Sequence, residues 1–158
     1  MPLKKLLYPL ACRLLEFLEP RLSPKRNYRS SSMFNASLLS IIEEAGIAVL
    51  TLTEGLEKDE FLSSRLTRTE TTRQLKIMSD SIASLPPSTQ VLLEEIDWKG
   101  WQSLGRRIGS GDSAEEEALW FAVRSLVSAT LMWLRVYRKN QPEVFAYRPA
   151  PTAGEAGA

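Results

Sequence analysis

Few side chains in this chain of 158 residues could carry acid–base or metal chemistry. The sequence contains no histidine and one cysteine, Cys12. A Ser–His–Asp triad, a Cys–His dyad and a histidine-ligated zinc site are therefore excluded. One cysteine also excludes an internal disulfide and a four-thiolate metal site. We expect no metal and no cofactor, and a single cysteine fits a reducing compartment.

Arg106 and Arg107 form the most informative charged pair. They end a predicted helix that carries tryptophans, and a glycine-containing turn over residues 109–111 follows them. Because a guanidinium offers a two-pronged donor to phosphate, this pair predicts a surface for RNA or another anionic partner. Three further residues are candidates for the same surface: Lys99, Arg73 and Trp101.

These candidates have structural alternatives. The arginines could interact with the negative C-terminal end of their own helix or pair with Asp80, Glu94 or Asp97. Trp101 could pack in the core instead of stacking on a base. The adjacent acidic residues of the chain predict a solvated face and no metal site, because neighbouring residues on a helix point in different directions.

Charge is unevenly distributed along the chain, although the total is only +1. Residues 1–33 carry seven basic and two acidic side chains, whereas residues 34–104 carry eleven acidic and six basic ones. A basic segment ahead of an acidic body could bind an anionic partner or surface, or it could be a solvated tail. The small total excludes the strongly basic class of nucleic-acid-binding proteins.

Apolar residues recur at three- and four-residue spacing through most of the chain, which predicts helices. No segment alternates as a half-buried strand would. We therefore predict an all-α bundle of four or five helices with an N-terminal helical extension. The predicted helices cover 3–19, 35–55, 58–64, 67–85, 89–108 with a break near Asp97, and 113–140.

The helix boundaries divide the chain into three predicted parts. Residues 1–32 form an amphipathic helix and a basic linker, residues 33–140 the bundle domain, and residues 141–158 a flexible tail rich in Pro, Gly and Ala. Thr67 with Glu70, and Ser113 with Glu116, have the spacing of capping boxes.

No run of 18 apolar residues occurs, so we expect no integral membrane segment. We expect a cytoplasmic protein, and the basic N-terminus leaves organellar targeting open.

The order of these segments resembles the HepT-like family of HEPN proteins over about residues 36–137. The resemblance implies the helical bundle, a homodimer, a nucleotidyltransferase-type protein partner, and metal-independent RNA cleavage at a dimer cleft. It is carried by segments 38–44, 56–62 and 67–85 and by the motif Ile96-Asp97-Trp98. The matching positions are Trp98 and Trp120 for the two family tryptophans, Arg106 or Arg107 for the family arginine, and Asp80 near a family glutamate.

The catalytic histidine that the family places a few residues after its arginine is missing. The corresponding positions are Gly111, Asp112, Ser113 and Ala114. Asp112 is the one remnant able to exchange a proton, and a place near a helix N-terminus would lower its pKa. The general acid or base that the cleavage needs is therefore absent.

We therefore expect a catalytically degenerate protein that works by binding a protein partner, RNA or both, as a component of a toxin–antitoxin-type pair. One alternative is an active RNA endonuclease that uses Arg106 or Arg107 with Asp112. Another is a structural or assembly subunit that docks through residues 3–19.

Overall fold

The computed structural model describes residues 27–146, and within that range every regular element is helical. The prediction of an all-α fold is therefore confirmed. The predicted helix over 3–19 lies outside the described residues. The elements are α1 (Asn27–Leu52), α2 (Lys58–Ser63), α3 (Arg65–Ala83), α4 (Pro87–Leu92), α5 (Trp98–Arg107), α6 (Ser113–Phe121), a π-helical turn (Ala122–Leu126), α7 (Val127–Asn140) and α8 (Pro142–Phe145).

Helix α1 begins earlier than predicted. The sequence suggested a start near Asn35, but the helix already begins at Asn27 and takes in the serine-rich stretch that we expected to belong to a linker. The chain has no proline between Pro24 and Pro86, so nothing in that stretch interrupts helical hydrogen bonding. The boundary expected between residues 32 and 33 therefore falls inside a helix.

The four long elements enclose one core. Helix α1 packs against α3 on one side and α7 on the other, α3 packs against α5, and α5 packs against α6 and the π-helical turn. Glu43 pairs with Arg138 and Gly46 lies against Leu131, so α1 and α7 run antiparallel. The fully buried large side chains at the centre are Leu39, Ile42, Val49, Phe61, Leu75, Met78, Leu93, Trp101, Val127 and Leu134.

The last long helix contains one wide turn. The Val127 N–H donates to the carbonyl of Ala122, five residues earlier, where an α-helix would use the fourth. This turn keeps Val123, Leu126 and Val127 buried side by side, so α6 and α7 both face the core. The 3.6-residue period predicts the helix but not the extra residue in this turn.

Two helical segments, Met33–Leu52 and Ser113–Asn140, are long and apolar enough to cross a membrane by length and composition alone. The expectation of no integral membrane segment stays a prediction. Core helices of soluble proteins and N-terminal signal sequences also pass this test. Both segments place side chains in the core, such as Ile42 and Leu134.

The bundle continues beyond the predicted boundary at residue 140. Helix α8 packs against α1 and α7, Val144 and Phe145 are half-buried, and the Arg138 guanidinium lies 4.9 Å from the centre of the Phe145 ring. The expectation of a flexible tail from residue 141 is therefore wrong for residues 142–145. A proline at the first position of a helix costs no hydrogen bond, which is why Pro142 can start α8.

The predicted capping boxes are displaced. Residues Glu57 and Glu60 form the box, at the start of α2, and α3 begins at Arg65, upstream of Thr67. Helix α6 is capped by Asp112 in place of Ser113, since the Asp112 carboxylate accepts from the Glu115 N–H at 2.8 Å. Sequence spacing identified the helix starts to within a few residues but not the capping side chains.

Candidate functional site

Helix α5 sets which of the candidate residues can be reached from solvent. Its first turn is fixed by Asp97, whose carboxylate accepts from the Gly100 N–H at 2.8 Å. Trp101 and Leu104 are buried on one face, so the opposite face is exposed. That exposed face carries Lys99, Gln102, Ser103 and Arg106, and Arg107 follows at the end of the helix.

Trp101 is not part of a binding surface. Its side chain is fully buried, and its indole N–H donates to the Thr130 hydroxyl at 2.9 Å. The Thr130 hydroxyl in turn donates to the Leu126 carbonyl at 2.7 Å. The indole N–H and the hydroxyl O–H therefore both have an acceptor inside the protein. The expectation that Trp101 contacts a partner is wrong, and its alternative, core packing, holds.

A cleft of about 350 Å³ lies between the C-terminal half of α3, α4 and the exposed face of α5. Trp98 is half-buried at its edge, and its indole N–H donates to the Gln90 carbonyl at 3.0 Å, which fixes the ring. The cleft brings together Asp80 and Arg106, two positions that the family resemblance singled out separately. The lining of the cleft includes the side chains of Asp80, Gln90, Trp98, Gln102 and Arg106.

The close approach of α3 and α5 beneath this cleft depends on Gly105. A Cβ atom at Gly105 would lie 2.6 Å from the Ser79 hydroxyl oxygen, which is closer than real contacts allow. No sequence prediction assigned a role to Gly105. An isolated glycine inside a helical pattern, next to the buried Leu104, is the signal that could have revealed it.

Three cations on α5 are exposed: Lys99, Arg106 and Arg107, here called the α5 cation group. Within residues 33–146 none of them forms an ion pair, and Arg106 reaches only the Ser103 hydroxyl at 3.4 Å. Lys99 and Arg106 are seven residues apart, so they lie on the same side of the helix two turns from each other.

Of the three acidic residues proposed as partners for these arginines, Glu94 forms no ion pair within residues 33–146, and the other two are engaged elsewhere. Asp80 pairs with Lys76 at 3.2 Å, and Asp97 caps α5. The ion-pair alternative for Arg106 and Arg107 is therefore not found in the described part of the chain. Their position in the last turn of α5 still suits the negative end of the helix.

Arg73, the fourth basic candidate, already forms an ion pair within its own helix. Its guanidinium donates to both carboxylate oxygens of Glu70, at 2.9 and 2.6 Å. The Arg73 and Gln74 hydrogen bonds lower the pKa of Glu70 from its ordinary value of 4.5 to about 2, and the same pair raises the pKa of Arg73. The structure thus separates Arg73 from the α5 cation group.

The Glu70–Arg73 pair predicts a measurable titration. Because the folded pKa of Glu70 is lowered, its contribution to stability is complete above pH 4.5 and is lost as the pH falls towards 2. We expect carboxyl ¹³C NMR to give a pKa of about 2 in the native chain and a higher pKa in Arg73→Gln, still below 4.5 because the Gln74 hydrogen bond remains. Lys76→Gln is the control, because Lys76 pairs with Asp80 and not with Glu70. An unchanged Glu70 pKa in Arg73→Gln would contradict the pairing.

Asp112 stands where the resemblance would place proton-transfer chemistry, but its environment favours the charged form. Its carboxylate accepts from the Glu115 N–H and from the Ser110 hydroxyl, at 2.8 and 2.9 Å. These two hydrogen bonds, and to a smaller extent the charge of Arg107, lower its pKa. Asp112 is therefore a capping residue that stays ionised at neutral pH, as its predicted position near a helix start implied.

The turn between Arg107 and α6 is held by hydrogen bonds from its own backbone N–H groups to a nearby carboxylate. The Glu115 carboxylate accepts from the Gly109 N–H at 2.7 Å and from the Gly111 N–H at 2.6 Å. Both glycines have positive φ, +95° and +72°, which side chains rarely allow. No sequence prediction anticipated that Glu115 holds this turn.

Across residues 27–146 no three Cys, Asp or Glu side chains converge in a way that could hold a metal ion.

Neither the family models, nor the curated proteins, nor the solved structures contain a match to this chain.

Proposed function

We propose that the protein is a catalytically degenerate HepT-like protein that acts by binding, and that its ligand is an acidic segment of a partner protein. In this proposal the α5 cation group receives the carboxylates and the cleft beside Trp98 receives a neighbouring side chain. The partner belongs to a toxin–antitoxin-type pair, for which the resemblance implies a nucleotidyltransferase-type protein, and the protein itself forms a homodimer.

The observation that carries the proposal is that the α5 cation group has no ion-pair partner within residues 33–146. Arg106 and Lys99 are exposed beside a cleft, and the carboxylates of Asp80 and Asp97 are engaged by Lys76 and by a helix cap. An arginine with unused donors next to an aromatic edge is typical of protein-binding surfaces. The absence of histidine and the lowered pKa of Asp112 remove the two groups that the resemblance would use as general acid or base in this region.

A protein ligand is favoured over RNA by the charge of the surrounding surface. Residues 33–146 carry twelve basic and sixteen acidic side chains, which gives a net charge of −4. Binding to a phosphate backbone draws its affinity from many simultaneous cation contacts, and three cations on an acidic body supply few. The buried Trp101 also offers no surface for stacking a base.

Fluorescence anisotropy with two labelled probes tests this proposal: a short peptide of alternating Glu and Leu, and a single-stranded RNA of similar length. We expect the peptide to bind, and Arg106→Glu to weaken its binding by about tenfold or more, since a charge-assisted hydrogen bond contributes on the order of 1.5–3 kcal/mol. Arg65→Glu is the matched control, because it makes the same charge change at an exposed position on α3. Equal loss in the two variants, or tighter binding of the RNA than of the peptide, would overturn the proposal.

The absence of catalysis is tested separately by incubating the purified chain with labelled tRNA. We expect no cleavage above that of the Arg107→Ala variant, because the chain lacks the histidine that the resemblance implies for taking the proton of the attacking hydroxyl. Cleavage that disappears in Arg107→Ala would instead establish the endonuclease alternative.

A further inference from the structure

A buried hydroxyl at the base of the cleft has no hydrogen-bond partner. Ser79 lies on α3, only 8% of it is exposed, and it lines the cleft beside Gly105. Thr72, on the same helix, donates to the carbonyl four residues earlier, but the Ser79 hydroxyl forms no hydrogen bond within residues 33–146. Since buried polar groups in proteins are nearly always paired, this hydroxyl is a donor available to a ligand in the cleft.

An unpaired acceptor lines the same cleft. The half-buried Gln90 donates from its side-chain nitrogen to the carbonyls of Leu85 and Ile82, at 3.2 and 3.5 Å. These contacts occupy the nitrogen of the amide and fix which of its two polar atoms is the oxygen. Within residues 33–146 that oxygen accepts no hydrogen bond, so the cleft offers an acceptor as well as a donor.

The charges that line the cleft disfavour a charged ligand tip of either sign. A carboxylate inside the cleft would lie near Asp80, and an ammonium group would lie near Arg106. A neutral group with a strong dipole meets no such repulsion, because its negative end can face Arg106 while its positive end faces Asp80. The remaining wall is apolar and is formed by Ile82, Ala83 and the fixed ring of Trp98.

We propose that the cleft binds the side-chain amide of a glutamine in the acidic partner segment. The amide carbonyl accepts from the Ser79 hydroxyl, the two N–H groups face the Gln90 side-chain oxygen and Asp80, and the methylene groups pack against Trp98. The inference rests on the proposed function and deepens it, because it names the side chain that enters the cleft beside the carboxylates bound by the α5 cation group.

An apolar side chain of similar size fits the cleft less well. It would pack against Ile82 and Trp98, but it would cover the Ser79 hydroxyl and the Gln90 oxygen without pairing either of them. Leaving a polar group buried and unpaired costs more free energy than a new hydrogen bond gains, which makes the amide the preferred occupant.

Fluorescence anisotropy with three labelled peptides tests the preference. The peptides share the alternating Glu and Leu sequence used above and differ only at one central apolar position, which holds Leu, Gln or Glu. We expect the Gln-centred peptide to bind about tenfold more tightly than the Leu-centred one, from the hydrogen bonds that only the amide can form. The Glu-centred peptide should bind no more tightly than the Leu-centred one, because Asp80 repels a second carboxylate in the cleft.

Ser79→Ala isolates the contribution of the hydroxyl. We expect it to weaken binding of the Gln-centred peptide by about fivefold and to leave binding of the Leu-centred peptide unchanged. Ser81→Ala is the matched control, because Ser81 is also on α3 and also 8% exposed but does not line the cleft. Both variants should retain the native circular dichroism spectrum, since neither hydroxyl forms a hydrogen bond within residues 33–146.

Asp80→Asn tests the part played by charge. Removing this carboxylate should tighten binding of the Glu-centred peptide by about threefold, the range of an exposed charge pair. The Leu-centred peptide, which places no charge in the cleft, provides the reference for each variant. A Glu-centred peptide that binds native chain and Asp80→Asn equally would contradict the charge selection and overturn the preference for a neutral amide.

The same measurements separate failure of the glutamine site from failure of the proposed function. Equal binding of the Gln-centred and Leu-centred peptides, with Arg106→Glu weakening both, overturns the glutamine site alone. Equal loss of affinity for the two peptides in Ser79→Ala also overturns it, because the hydroxyl would then not distinguish an amide from an apolar group. If none of the three peptides binds the native chain, the proposed function fails and the glutamine site fails with it.

Discussion

Replacing Trp101 with Ala should lower the free energy of unfolding by about 3–5 kcal/mol, the range for removing a fully buried aromatic side chain. The indole fills the centre of the bundle between α5 and α7 and is completely excluded from solvent. Its removal leaves a cavity and also leaves the Thr130 hydroxyl oxygen without its donor. Urea unfolding followed by circular dichroism measures the loss.

Two matched variants separate the cavity from the hydrogen bond. Trp101→Phe keeps an aromatic ring but removes the N–H, so it should retain part of the stability that Trp101→Ala loses. Trp133→Ala removes an indole that is only half-buried at the edge of the core and should cost less than Trp101→Ala. Equal losses in Trp101→Ala and Trp133→Ala would contradict the central position assigned to Trp101.

The second prediction concerns Gly105→Ala, which should lower the free energy of unfolding where such a change would ordinarily raise it. Changing glycine to alanine inside a helix ordinarily stabilises it by up to about 1 kcal/mol. At Gly105 we expect instead a loss of about 1 kcal/mol, because the new methyl group would lie 2.6 Å from the Ser79 hydroxyl oxygen and would force that side chain into another rotamer. The change should also narrow the cleft, since Ser79 and Gly105 both line it.

A double-mutant cycle tests the contact between the two helices. Ser79→Ala removes the obstructing oxygen, and the next atom, the Ser79 Cβ, is 3.9 Å from the new methyl group. We therefore expect Ser79→Ala combined with Gly105→Ala to recover most of the stability that Gly105→Ala loses. Chemical denaturation of the native chain, both single variants and the double variant measures the coupling. A stabilising Gly105→Ala would show that α3 and α5 are further apart.

The helical segments could be predicted because apolar periodicity depends on local sequence. The pattern identified the buried faces of α3 and α7, and it placed the break between α4 and α5 at Asp97, the residue that caps α5. The start of α1 was missed because serine and asparagine favour caps and turns locally, whereas here they continue a helix. The wide turn at Ala122–Leu126 carries no periodic signal of its own.

The site was predictable only in part. Arg106 and Asp80 were identified from the sequence, but their meeting in one cleft follows from the packing of α3 on α5, which depends on Gly105. Arg73 looked equivalent to Arg106 in sequence, and only its contact with Glu70 shows that it is engaged. Trp101 and Trp98 are three residues apart, and a small difference in helix phase decides which of them is buried.

The closed turn after Arg107 has a consequence for anion recognition. Successive N–H groups near a glycine turn form a concave electropositive surface that attracts phosphate in many proteins. Here the Glu115 carboxylate, four residues beyond Gly111, already fills that surface. An incoming phosphate would have to displace a tethered carboxylate, which competes at high effective concentration. The Glu115 carboxylate therefore takes the place of a bound anion in this turn. Because the Gly109 and Gly111 N–H groups donate to it, their amide hydrogen exchange should be slower than their exposure alone would suggest.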